Sequence, residues 1–230
     1  MKKIINTSDK DFDNQFKELL NIDRNITENV EEVVRSIVQN VKSKGDESLV
    51  EYTNKFDKNS LSASEILFSE EEIDNLIKGL SPKLVKAIDL AYSRIESYHK
   101  KQIPSDLLYE DEIGAKLGYI WNPISTVGIY VPGGTASYPS TVLMNAIPAK
   151  VAGVEDITMV SPSTESKMNP SILYAARKAG ISRIYRIGGA QAISALAFGT
   201  ETIKPVDKIV GPGNIYVSEA KRQVFGDVGI

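Results

Sequence analysis

Cysteine is absent from the 230 residues, and histidine occurs once. The first absence removes disulfides and thiolate metal sites while staying neutral about compartment. The second leaves His99 with no partner histidine or cysteine, so neither a Cys–His nor a His–His catalytic arrangement is available. His99 sits in SYHKKQ at the end of a predicted helix, where the dipole and the last carbonyls favour a structural role. Long apolar runs are also lacking, so nothing approaches a membrane span. No apolar segment follows the lysines of MKKIINTSDKDF, and no secretory signal is visible. The net charge is only −3, with lysines and glutamates interspersed, which argues against a nucleic-acid face. No Walker A sequence, internal repeat or low-complexity segment occurs. These absences point to a soluble, cytoplasmic protein with no nucleic-acid and no membrane partner. Its length suits one or two domains and a core that needs no staples.

What is present lies mainly in the last hundred residues. Short β-branched runs (Ser125 to Val131, Asp156 to Val160, Arg183 to Ile187, Lys208 to Val210) each lead into a glycine- or serine-rich loop that opens a helix. The loops are VPGGTASYP, SPST, GGAQA and GPGNIY. Candidate helices follow over Pro139 to Gly153, Asn169 to Gly180, Ala190 to Gly199 and Asn214 to Phe225, each closed by a glycine at or just after its end. Strand and helix alternating at this spacing predict a mainly parallel sheet covered on both faces, an α/β three-layer sandwich. Loops after parallel strands emerge on one edge, so four small-residue loops converge on one crevice. Glycine admits close backbone approach and helix N-termini offer free N–H groups, which suits a phosphate-bearing ligand. The plainer alternative is that these glycines and prolines only make tight turns.

Before residue 105 the pattern is helical. Thr27 is a candidate N-cap for the stripe Val30, Val33, Val34, Ile37, Val38 and Val41, which ends at Gly45. Asp46 can cap the next helix, with Leu49, Val50, Tyr52 and Phe56 as its apolar positions. After an extended piece around Ile66 to Phe68, Ser69 with Glu72 forms a capping-box pattern for a helix through Leu80. Ser81-Pro82 starts another, striped by Leu84, Val85, Ile88, Ala91, Tyr92, Ile95 and Tyr98 and ended by Pro104. A hairpin-like piece (Leu108 to Tyr109, then Ala115 to Trp121) leads into the α/β half.

The GPGNIY loop is a near-miss to a dinucleotide fingerprint: its context is right, but Tyr216 takes the place of the third glycine. The acid expected about twenty residues further on would fall beyond Ile230. The carboxylate groups at Glu31-Glu32 and Glu70 to Glu72 read as solvated helix faces rather than acid–base pairs. From the residues alone, the chain has a nucleotide-like crevice and no evident proton-transfer machinery.

Three segments then carry a resemblance: WNPISTVGIYVPGGTASYPSTVLMNAIPAKVAGV (from Trp121), IGGAQAISALAFGTETI (from Ile187) and DKIVGPGNIYVSEAKRQVFGDVGI (from Asp207). With KGDESLVEYTNKFD and IESYHKKQ upstream, the chain resembles histidinol dehydrogenase over nearly its whole length. That resemblance implies oxidation of L-histidinol through L-histidinaldehyde to L-histidine, by two hydride transfers to NAD with zinc bound, at the close of histidine biosynthesis. It also implies a homodimer with active sites completed across subunits. The family's NAD contacts fall on Tyr130, Gln191 and Asn214; Gln191 and Asn214 could instead simply cap their helices. The family's zinc ligands, catalytic Glu-His pair and substrate contacts correspond to positions beyond Ile230. The implied organisation is therefore a helical region over 1–124, the first part of a discontinuous domain, and an incomplete Rossmann-like domain over 125–230. The helical half is expected to expose apolar surface for want of partner strands. A non-catalytic nucleotide-binding or interaction module, and an unrelated sugar-phosphate enzyme, are the other readings of the same crevice.

Overall fold

The computed structural model describes residues 4–133, 138–163 and 168–230, with the backbone alone over 20–28. Its elements run α1 (Phe12–Lys44), α2 (Asp46–Asp57), α3 (Glu70–Ile77), α4 (Pro82–Lys100), β1 (Leu107–Glu110), β2 (Lys116–Tyr119), β3 (Thr126–Tyr130), α5 (Pro139–Val151), β4 (Asp156–Val160), α6 (Pro170–Ala179), β5 (Arg183–Tyr185), α7 (Gly189–Phe198), β6 (Lys208–Val210) and α8 (Ile215–Val224).

β3 to β6 form one parallel sheet in the order β5-β4-β3-β6. Tyr130 pairs with Val160 at the end of β3, and Ile129 with Val210 of β6. The four strands are almost wholly buried, as their β-branched runs require of a sheet covered on both faces. On one face α7 and α8 pack with α1 and α2 around Val34, Val41, Leu49, Ile193 and Leu196. On the other, α5 and α6 pack with α3 and α4 around Ile88, Leu143, Ile147, Met159 and Leu173. The N-terminal helices thus contribute to both cores.

The helical reading needs three corrections. α1 starts at Phe12, so Thr27 lies inside it rather than at its N-cap. Residues 12–19 are largely exposed. An apolar stripe reveals only the packed part of a helix, from Val30 onward, where Val33 is exposed and the rest of the stripe is buried. Asp46 is the first residue of α2, not its cap: Gly45 holds that position, while Asp46 donates its N–H to Glu201 and accepts from the Thr202 hydroxyl. At α3, the Ser69 hydroxyl accepts from the Glu72 N–H, but the Glu72 carboxylate turns away to Arg186. Glu72 is therefore half of a long-range ion pair and not merely a solvated face. Glu31 likewise pairs with Arg35 and Arg222.

Arg186 is only 6% exposed, and its guanidinium lies 3.7 Å from the centre of the Phe68 ring. The extended piece containing Phe68 pairs antiparallel with β5: Phe68 N–H donates to the Ile184 carbonyl, and Arg186 N–H to that of Ile66. By contrast, β1 and β2 form a separate antiparallel hairpin, exposed at every residue. Leu108, Tyr109, Ile113, Tyr119 and Trp121 all stand in solvent there. Apolar surface is thus exposed on this hairpin, while the helices before it pack against the sheet.

The loop after β6 shows why a glycine must open it. Gly211 has φ +99°, and a Cβ there would stand 2.1 Å from the Tyr130 carbonyl oxygen. Gly211→Ala is expected to cost about 2–5 kcal/mol, from the left-handed backbone and the collision together. Gly79→Ala, where a Cβ meets nothing within 4 Å, should change stability by no more than about 0.5 kcal/mol. Urea unfolding of the two variants checks the contrast.

Candidate functional site

Numbered along the α/β unit, the strand order β5-β4-β3-β6 reads 3-2-1-4, so the side on which successive strands are added reverses between β3 and β6, all four strands staying parallel. Ligands in open parallel sheets bind at such a switch point, outside the carboxyl ends of the strands. Tyr130 is the last residue of β3, and the Gly211 loop follows β6. The two sides of the switch point therefore meet at the contact between Gly211 and Tyr130.

A cavity of about 410 Å³ opens there, lined by Tyr130, Gln191 and Asn214 together with Asp57, Pro162 and Tyr216. The three residues singled out in the sequence thus share one cavity, although each comes from a different loop or helix start. Pro162, after β4, closes the arrangement. A Cβ on Gly188 would stand 2.4 Å from it, so the β4 and β5 loops touch with no room for side chains. Gly134 and Thr164, which belong to the loops named in the sequence, lie outside the described residues.

Each of the three is placed differently. Tyr130 is buried, and its hydroxyl accepts a 3.1 Å hydrogen bond from the Gly189 N–H, fixing the start of α7. Burial raises the Tyr130 pKa, so the phenol stays protonated and keeps its own proton for a further acceptor. Gln191, in the first turn of α7, is 1% exposed, and its Oε1 has no hydrogen-bond partner. Asn214 is exposed and caps α8 by accepting from the Val217 N–H at 3.1 Å. Its amide nitrogen is not used by the cap and remains a donor. Capping and ligand contact are compatible here, because they use opposite ends of the amide.

One lining residue escaped the sequence reading. Asp57 is the last residue of α2, and its Oδ2 is buried without a partner. Desolvation pushes its pKa up from 3.8 to about 6. Sequence pattern shows only a polar residue ending an amphipathic helix; the desolvation arises from tertiary packing.

A larger cavity, about 530 Å³, lies by the end of α4 and is lined by His99, Gln102, Asp106, Trp121 and the end of α5. Its residues 121–123 precede β3 and 148–152 precede β4, so it sits at the amino edge of the sheet. His99 Nδ1 lies 2.6 Å from Gln102 Oε1, in keeping with a structural role. Size favours this cavity, but topology and the unpaired polar atoms favour the one at Tyr130.

Comparison with known proteins matches this geometry to a family. The family model described as histidinol dehydrogenase matches residues 21–230. The chain belongs to the histidinol dehydrogenase family. It is 52% identical to the histidinol dehydrogenase of Rhizobium meliloti over 226 residues, covering 98% of this chain and 52% of that protein. With the Brucella abortus histidinol dehydrogenase it shares 52% identity over 230 residues, all of this chain and 54% of the relative. The crystal structure of histidinol dehydrogenase from Elizabethkingia anophelis superposes with a TM-score of 0.84 at 42% identity, covering 87% of this chain and 46% of that one. The chain spans about half the length of the curated histidinol dehydrogenases it matches.

The Asp57 carboxyl gives a pH signature with a definite sign. Its folded pKa, about 6, exceeds the ordinary 3.8, so between those values the native state holds more protons than the unfolded state. Stability should therefore fall as pH rises through that window, and the cost persists above it. Asp57→Asn removes the charge, and is expected to be more stable than the parent by roughly 1–3 kcal/mol near pH 7.5. Near pH 4 the two should converge. Denaturant titrations at both pH values measure the difference.

Proposed function

We propose that this chain carries the NAD-binding portion of a zinc-dependent histidinol dehydrogenase, which oxidises L-histidinol through L-histidinaldehyde to L-histidine as a cytoplasmic homodimer. The observation that carries the reading is the convergence of Tyr130, Gln191 and Asn214 on one cavity at the switch point of the sheet. Family membership favours it over a non-catalytic module or an unrelated sugar-phosphate enzyme.

The residues present fit the dinucleotide. Gln191 brings an acceptor, Oε1, that nothing in the described protein satisfies, and a buried polar atom left so is costly without a ligand. Asn214 brings an amide donor, Tyr130 an aromatic ring and a phenolic proton. The opening N–H groups of α7 and α8, which have no partners within their helices, face the same edge. NAD, when bound, would accept one hydride, so the alcohol and the hydrated aldehyde would be oxidised with two NAD molecules in turn. The protein's part at this site is to hold the dinucleotide at a fixed angle to the sheet edge, with Tyr130 and α7 acting as one rigid wall through the hydroxyl–amide bond.

Zinc finds no such fit. Among the described residues no three of His, Asp or Glu gather into a metal-holding group. His99 faces the opposite edge of the sheet. No step can be derived through the metal from these residues.

Calorimetric titration of the purified chain should detect NAD binding. Gln191→Ala and Asn214→Ser, the latter retaining a helix cap, should each weaken it by roughly 2- to 10-fold, the loss of one hydrogen bond. Binding unaffected by both would refute the assignment. The same 230-residue chain, given histidinol, NAD and zinc, is expected to produce no NADH. Zinc-dependent NADH formation, followed by absorbance, would overturn that expectation.

A further inference from the structure

We propose that Asp57 recognises ribose in this cavity, its carboxylate accepting hydrogen bonds from the two neighbouring hydroxyls of a nucleoside, so that the site takes a free ribose and turns away one bearing a 2′-phosphate. This rests on reading the cavity as the NAD site and extends that reading to a residue from the helical half of the chain.

Several observations lead there. Asp57 lines the cavity with Tyr130 and Gln191, and both Asp57 Oδ2 and Gln191 Oε1 are buried acceptors without partners. Two unsatisfied acceptors on residues lining one cavity suit a ligand rich in donors. An ionised carboxylate only accepts, and a vicinal diol offers it two O–H groups. The described lining residues include no lysine or arginine. A 2′-phosphate would face the Asp57 charge with no cation among the described lining residues to offset it, whereas a free ribose would not, and the diphosphate of NAD has the opening N–H groups of α7 and α8 instead. Phe56, Tyr130 and Tyr216 add the ring faces against which a flat base packs.

Position strengthens the case. In the usual dinucleotide fold an acid after the second strand of the unit takes the ribose. Here that strand is β4, and the described residues directly after it, Ser161, Pro162 and Ser163, include no carboxylate, while Glu165 lies outside the described residues. Asp57 supplies one from α2, across the cavity. It does so at a cost to the fold. The charge sits at the carboxyl end of a helix, where the dipole opposes it, and burial pushes its pKa up to about 6. A group that strains the apo protein and faces a cavity is placed as a ligand contact is placed.

The test compares NAD, NADP, 5′-AMP and nicotinamide mononucleotide on the parent chain, Asp57→Asn and Asp57→Glu, by calorimetry and saturation-transfer NMR. We expect the parent to prefer NAD to NADP at least tenfold. Asp57→Asn should weaken NAD at least fivefold and bring the NAD/NADP ratio within about twofold of unity, with a thermal midpoint no lower than the parent's. Asp57→Glu should restore part of the preference. The sensitivity should appear with one of the two mononucleotides, which identifies the half of the dinucleotide held here. NAD binding that survives Asp57→Asn with its ratio intact would overturn this inference and leave the NAD site standing. A lost preference accompanied by a lowered midpoint would assign Asp57 to the fold instead. A parent chain that binds none of the four would remove both readings together.

Discussion

At the carboxyl edge of the sheet the closest approach is backbone against backbone, with Gly211 set on the carbonyl of Tyr130 so tightly that no side chain could intervene. This contact brings the loop after β6 onto the end of β3, at the point where the strand order reverses. From it follow the position of Asn214 at the rim and the distance from which the Tyr130 ring can reach α7. The hydroxyl of Tyr130 then anchors the Gly189 N–H, and Gln191 lies in the first turn of the helix so fixed. Pro162, held between the loops, completes a wall made mostly of main chain. Such a wall has few rotamers to lose when a ligand arrives, so little ordering entropy opposes binding.

The parallel unit was largely legible in the residues. Asp156 to Val160 and Lys208 to Val210 form strands with those bounds, and the helices after them begin and end within about two residues of expectation. Short β-branched runs between glycines leave little choice when both faces of a sheet are buried. The shared cavity of Tyr130, Gln191 and Asn214 followed from parallel strands, although the choice of those three came from family resemblance. Patterning failed where stability does not depend on burial. The exposed first turns of α1 carry no apolar stripe, so Thr27 looked like a start. It also failed for pairs far apart in sequence. Nothing local couples Glu72 to Arg186, and nothing local shows that Asp57 ends its helix inside a cavity.

The helical half is bound to the sheet by two kinds of contact. Valines and isoleucines of α1 and Ile88 of α4 join the two cores, and Arg186 adds a buried cation held by Glu72 and the Phe68 ring. The hairpin of β1 and β2 has neither kind of support and presents leucine, tyrosine and tryptophan to water. Within one chain the apolar surface is thus unevenly spent. Most of it is buried around the sheet, and it is left open on the segment that joins α4 to β3.

The short pairing of Ile66 to Phe68 with β5 bears on how separate molecules meet. A bare outer strand offers unpaired N–H and C=O groups to any other strand, and sheets grow by such additions. On β5 the Ile184 carbonyl and the Arg186 N–H are already engaged by the antiparallel piece, with a guanidinium and a phenyl ring stacked beside it. A piece of chain this short therefore seals one flank of the sheet against edge-on aggregation.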